Sequence, residues 1–186
     1  MIVPPRLLDE LLDQVDRRRA AHLALDFTQH LLEVQRDEVE VPVRAVCLEY
    51  IAAAREAIDR GEATPRLLRA HERLYEVAAR SEGTRHFLAR GAEPTVQAVR
   101  VGCQRMLEGT GAVNMRMSYQ LTCQDIARDI QSEMGRWCAE RIGEDGDRGR
   151  AARAARWEEA RRQVQHVIAT EPFPYGSLDG RRFSMP

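Results

Sequence analysis

Apolar residues recur at helical spacing along most of this chain, and Pro or Gly punctuates the runs. After Pro4 and Pro5, residues Leu7, Leu8, Leu11, Leu12 and Val15 share one helix face. The charged run Asp16-Arg17-Arg18-Arg19 either bends the chain or faces water. Ala20, Leu23, Ala24, Phe27, Leu31 and Val34 then resume the period. Pro42 suits the first turn of a third segment that runs to about Arg60, with Val46, Ile51, Ala54 and Ile58 inward and Gly61 as its stop. Thr64-Pro65 reads as an N-cap followed by a helix-compatible proline. It opens a stripe of Leu67, Leu68, Leu74 and Ala78 that ends at Gly83.

Further on, a short piece spans Arg85 to Arg90, and Glu93-Pro94 starts a helix with Val96, Val99, Cys103, Met106 and Leu107 on one side. A long helix is expected from about Val113 to Ile142, with Leu121, Ile126, Ile130, Met134, Trp137 and Cys138 inward. Residues 143–149, GEDGDRG, form the clearest interruption. A last helix over roughly 150–170 is expected to turn Trp157, Val164, Val167 and Ile168 to the core. The segment after Glu171, PFPYGSLDGRRFSMP, has too many Pro and Gly residues to continue it.

The alternation of a half-buried strand is missing, and aromatic residues are only 5% of the total. At 186 residues and 44% hydrophobic, the chain suits one domain with its own core. The expected architecture is therefore all-α: one bundle of six or seven mostly antiparallel helices over residues 1–170, and an irregular tail over 171–186.

Charge and chemistry narrow the function classes. Twenty-eight basic against 29 acidic residues leave a net charge of −1, which disfavours a strongly basic nucleic-acid binder. Every basic residue is Arg, so Schiff-base chemistry and a P-loop lysine are excluded. The N-terminal stretch has no uninterrupted apolar run, and no segment approaches the ~20 apolar residues of a membrane span. The expectation is a cytoplasmic protein that does not enter membranes. Cys47, Cys103, Cys123 and Cys138 form no CxxC pair and read as reduced, buried thiols. Wide apolar arcs on several helices also allow a homodimer.

Three constellations are the candidates for chemistry. His22, Asp26 and His30 fall at i, i+4 and i+8 on one helix face. Imidazole and carboxylate suit zinc or iron, with His71 or His86 as further ligands from another helix. The plain alternative is a polar face hydrogen-bonded within the protein, with no cofactor. The second is Arg66-x4-His71, a spacing repeated at Arg161-x4-His166. It resembles the R-x4-6-H signature of HEPN ribonucleases, in which Arg and His act on an RNA phosphate and ribose hydroxyl. The third is the acidic stripe Asp125, Asp129 and Glu133, flanked by Arg128 and Arg136. It reads as a solvated face or as a surface for a basic partner.

The order of segments from about Ala20 to Ile130 adds a further resemblance. The stretches HLLEVQRDEVEVPVRAV, AAAREAIDRGEAT, LLRAHERLYEVAAR, PTVQAVRVGCQRM and SYQLTCQDIARDI follow one another like those of an all-α immunity protein family from bacterial polymorphic toxin systems. The helix carrying Trp157, Glu158 and Glu159 is similar to that family's Trp-bearing last helix. The resemblance implies a non-catalytic protein that binds a cognate toxin domain and occludes its active site. Asp125, Asp129 and Glu133 would then be the partner-binding face.

Overall fold

The computed structural model describes residues 4–83, 119–143 and 146–170. They form six α-helices: α1 (Pro4–Leu12), α2 (Arg17–Val34), α3 (Val41–Arg60), α4 (Pro65–Gly83), α5 (Tyr119–Glu140) and α6 (Arg148–Thr170). No strand occurs among the described residues, and no described helix is long and apolar enough to cross a membrane. The expected all-α bundle is what forms. The helix proposed from Glu93-Pro94, the piece at 85–90, Cys103, His86 and the tail over 171–186 lie outside the described residues.

Local chemistry sets the boundaries. The charged run opens α2, with Asp16 as its N-cap, and α1 ends before it at Leu12. The Asp16 backbone is extended and its carboxylate accepts a hydrogen bond from the Arg19 amide at 3.0 Å, capping α2. Pro42 sits in the first turn of α3, and Gly61 closes that helix at φ +71°, the left-handed conformation glycine adopts without a Cβ penalty. Thr64 Oγ1 accepts from the Leu67 amide at 3.2 Å at the start of α4, and the Asp147 carboxylate accepts from the Arg150 amide at 2.8 Å at the start of α6.

Paired positions give the helix directions. Asp26 meets Arg55 while His22 meets Asp59, so α2 and α3 run antiparallel. Asp26 meets His166 while His30 meets Glu159, so α2 and α6 are antiparallel too. Gln124 reaches Asp13 and Arg128 reaches Asp9, which sets α1 against α5. α2 packs on α3 and α5, α3 on α4, and α6 on α5 and α1. The core gathers Leu8, Leu11 and Leu12 of α1, Leu23, Phe27 and Leu31 of α2, Tyr50 and Ile51 of α3, and Leu67 and Leu74 of α4. Ile126 and Ile130 of α5 and Val164 and Val167 of α6 join them.

Three expected core residues point the other way. Leu68, Trp157 and Ile168 are 56%, 48% and 49% exposed. On α4 the inward face is Leu67, Ala70 and Leu74, and Leu68 stands one residue, about 100°, round from it. On α6 the inward face is Glu159, Ala160, Gln163, Val164 and Val167. Val164 and Val167 mark that face, but Glu159, Ala160 and Gln163 share it, so hydrophobicity marks it only in part. Trp137 and Cys138 are only half-buried, and Ala78 and Leu121 lie outside the described side chains.

Two contacts fix how closely α5 and α6 approach. Gln131 and Gln163 are both buried. Gln131 Nε2 donates to Gln163 Oε1 at 2.8 Å, and Gln163 Nε2 donates to the Ala127 carbonyl at 3.3 Å. Gly135 faces α6 with no room for a side chain, since a Cβ there would lie 2.8 Å from Arg156 Cγ and 3.0 Å from the Ala152 carbonyl.

Candidate functional site

The face of α2 that carries His22, Asp26 and His30 is where three helices meet. Helical spacing stacks these side chains one turn apart, and α3 and α6 lie on either side. His22 Nε2 is 2.9 Å from Asp59 Oδ1, an oxygen that also accepts from Arg18 Nη2 at 2.6 Å. The Arg18 hydrogen bonds are the largest influence on the Asp59 carboxyl and, with His22, hold it below its ordinary value. Asp26 divides its oxygens: Oδ1 accepts from Arg55 Nη2 at 2.6 Å, and Oδ2 lies 2.9 Å from His166 Nε2. Arg55 Nη1 donates to Gln29 at 2.8 Å. His30 Nε2 lies 3.3 Å from Glu159 Oε2, and Arg162 donates two hydrogen bonds to the same carboxylate, at 3.0 and 2.8 Å.

Glu159 is 3% exposed. Burial alone would push its carboxyl up, but the hydrogen bonds from His30 and Arg162 outweigh that effect and hold it below the usual value. Between the pairs lies an open cavity of about 480 Å³, lined by Asp26, Gln29, His30, Glu33, Arg55, Arg162 and His166. Phe27 meets His166 edge-on beneath it, with ring centroids 6.1 Å apart.

The sequence puts His22, Asp26 and His30 on one face, and the structure then sends each to a different partner. Among the described residues no group of three or more His, Cys, Asp or Glu side chains could hold a metal ion. Asp26 is engaged by Arg55 and Glu159 by Arg162, and a guanidinium on a carboxylate takes the lone pairs a cation would need. The arrangement suits ties between helices. His166 is the partner that sequence reasoning missed. It was visible only in the R-x4-H repeat, where its expected companion was Arg161, yet Arg161 pairs with Glu158 at 3.0 Å.

Arg66 and His71 are also separated by their contacts. Five helical residues place them about 140° apart around α4. Arg66 grips Glu49 through Nε at 2.8 Å and Nη2 at 2.9 Å, and reaches Glu56 at 3.2 Å. The Arg66 hydrogen bonds lower the Glu49 carboxyl, and those of Glu49 and Glu56 raise the Arg66 guanidinium. His71 Nδ1 is 2.9 Å from the hydroxyl of Tyr50, a fully buried residue of α3, and its ring packs against Tyr75 at 4.6 Å.

The acidic stripe lies on α5 and carries its own counter-charges. Arg128 lies 3.7 Å from Asp125 and 2.9 Å from Asp9. Arg136 binds Glu133 and, at 3.0 Å, Glu140. Asp129 is exposed. A second aromatic anchor stands near the end of this helix. Trp137 Nε1 donates to Glu38 at 2.8 Å, and Arg141, also bound to Glu38, lies 3.8 Å over the indole. Burial pushes the Cys47 thiol up to about 12 and raises those of Cys123 and Cys138, so none is poised as a nucleophile.

No protein-family model, curated protein or solved structure matches the chain.

Proposed function

We propose that this chain is a non-catalytic binding protein of the immunity type, acting in the cytoplasm to bind and occlude a toxin domain. One observation carries the reading. Among the described residues, the candidate groups for catalysis or metal binding each pair with a residue of another helix: His22 with Asp59, Asp26 with Arg55 and His166, His30 with Glu159, Arg66 with Glu49, and His71 with Tyr50. A general base or metal ligand must present a lone pair to a substrate or ion. Here the pairs stiffen a bundle, and a stiff bundle suits a protein whose task is to present a surface, because binding then costs little ordering. The order of segments from Ala20 to Ile130 points the same way.

The test is functional. Genes adjacent to the one encoding this chain are expressed alone and together with it in a heterologous bacterium. The reading predicts that one neighbour arrests growth and that co-expression restores it, with His22→Ala and Arg66→Ala still protective once the variants are shown to be folded. Ribonuclease activity lost on Arg66→Ala, or stoichiometric metal lost on His22→Ala, would overturn it in favour of an enzyme.

A further inference from the structure

The acidic stripe is laced with its own arginines, whereas the first half of α6 is the reverse. Residues 148–157, RGRAARAARW, hold four arginines and no acid. Arg148, Arg150, Arg153 and Arg156 are all exposed, and none makes an ion pair among the described residues. Arg150, Arg153 and Arg156 succeed each other at i and i+3, a spacing at which like charges destabilise a helix. Among the described residues Arg66, Arg128, Arg136 and Arg162 each meet a carboxylate, whereas Arg148, Arg150, Arg153 and Arg156 do not. Such a local conflict marks a place where something other than folding sets the residues.

Beside them stands Trp157, the large aromatic that α6 turns away from the core. Arg150, Arg153, Trp157 and Ile168 lie at i, i+3, i+7 and i+18, along one face of the helix, with Ala154 exposed between the arginines and the indole. Trp and Arg are the side chains most enriched at the energetic centres of protein interfaces.

We propose that this face of α6, centred on Trp157 and flanked by Arg150 and Arg153, docks a partner protein whose surface sets carboxylates around an apolar pocket. The assignment rests on the protein-binding reading above and moves its contact surface from α5 to α6. Three observations favour an acidic protein over a nucleic acid. Exposed Ile168 adds an apolar side chain about three turns further along this face, for which a phosphate backbone has no use. Glu158, 58% exposed and paired with Arg161, interrupts the run of positive charge directly after Trp157. The chain as a whole carries a net charge of −1, which gives no long-range attraction for a polyanion.

A photoreactive residue, p-benzoylphenylalanine, is placed at Ala154 of the full chain and, separately, at Asp129. Both proteins are expressed in the cell that encodes the chain and irradiated. The expected result is an adduct at position 154 with one acidic protein, absent at position 129. It should fall at least tenfold when R150A/R153A or W157A is added, with helical content and melting unchanged in each variant. An adduct from position 129 alone, an adduct with RNA or DNA, or capture indifferent to both sets of substitutions overturns the assignment, as does no adduct at either position. The two proposals separate cleanly. An Arg-dependent acidic partner that is harmless when expressed alone keeps this surface and removes the immunity reading. A toxin captured only from position 129 does the opposite.

Discussion

Glu159 offers the sharpest test of the view that the polar face of α2 is a set of ties. It is a carboxylate on the inward face of α6, almost wholly buried, accepting from Arg162 twice and facing His30 across to α2. Glu159→Ala strands two donors and leaves a hole. Breaking a buried pair costs about 3–5 kcal/mol. The Arg162 and His30 side chains keep 29% and 25% exposure, so water re-solvates both in part and brings the cost to the bottom of that range or just below it, about 2–3 kcal/mol. With a urea m-value of about 2 kcal/mol/M, the unfolding midpoint followed by circular dichroism should fall by about 1–1.5 M. The double-mutant cycle with Arg162→Ala should return a coupling of at least ~1 kcal/mol. The pH dependence has a definite sign. The folded-state pKa lies below the ordinary 4.5, so the stabilisation is present above that value and is lost as pH falls through it towards the folded pKa. The gap between wild type and Glu159→Gln should therefore be widest near neutrality and shrink below about pH 4.5. A midpoint shift under 0.3 M with ~0 coupling would refute the reasoning and return Glu159 and its neighbours to the list of functional groups.

Three further outcomes follow from α5, α6 and the thiols. Gln131→Leu alone should destabilise by about 1–3 kcal/mol because it strands buried Gln163, whereas Gln131→Leu/Gln163→Leu should recover most of that loss, read from the same denaturation cycle. Gly135→Ala should cost about 1–3 kcal/mol, since the added Cβ must displace both the Arg156 stem and the backbone at Ala152; a melting temperature equal to wild type would show that α5 and α6 separate freely. Cys47 and Cys123 should resist a thiol reagent in the native state and react at once in denaturant, while half-buried Cys138 reacts at an intermediate rate.

The helices were legible because their signals are local. Asp16, Pro42, Gly61 and Thr64 each act on the backbone within one turn, and a single sequence carries that information in full. Inward faces were legible where the core is aliphatic, as on α1 and α2. On α6 only Val164 and Val167 were, because the bundle there also buries Glu159, Ala160 and Gln163 and exposes Trp157. A hydrophobicity pattern assigns the indole to the core because it cannot know that a carboxylate will find Arg162 and His30, or that Gln163 will find Gln131. Arg162 is a turn away from Glu159 on the same helix, but the other partners come from other helices, at separations of 32 residues for the glutamine pair and 140 for Asp26 and His166.

The same limit explains the candidate site. Spacing showed that His22, Asp26 and His30 share a face, which is a property of one helix. Whether such a face binds a metal, acts on a substrate or joins helices depends on what stands opposite it, and Asp59, Arg55, His166 and Glu159 come from two other helices. The motif reading of Arg66 and His71 met the same difficulty, since Glu49 and Tyr50 decide what that pair can do. Charge alone left two readings of α5 open for a related reason. The flanking Arg128 and Arg136, a turn away on the same helix, pair with Asp125 and Glu133. Arg150 and Arg153, which make no ion pair among the described residues, stand beside an exposed Trp157, and that combination of charge and indole is what recommends α6 over α5 as the surface to test.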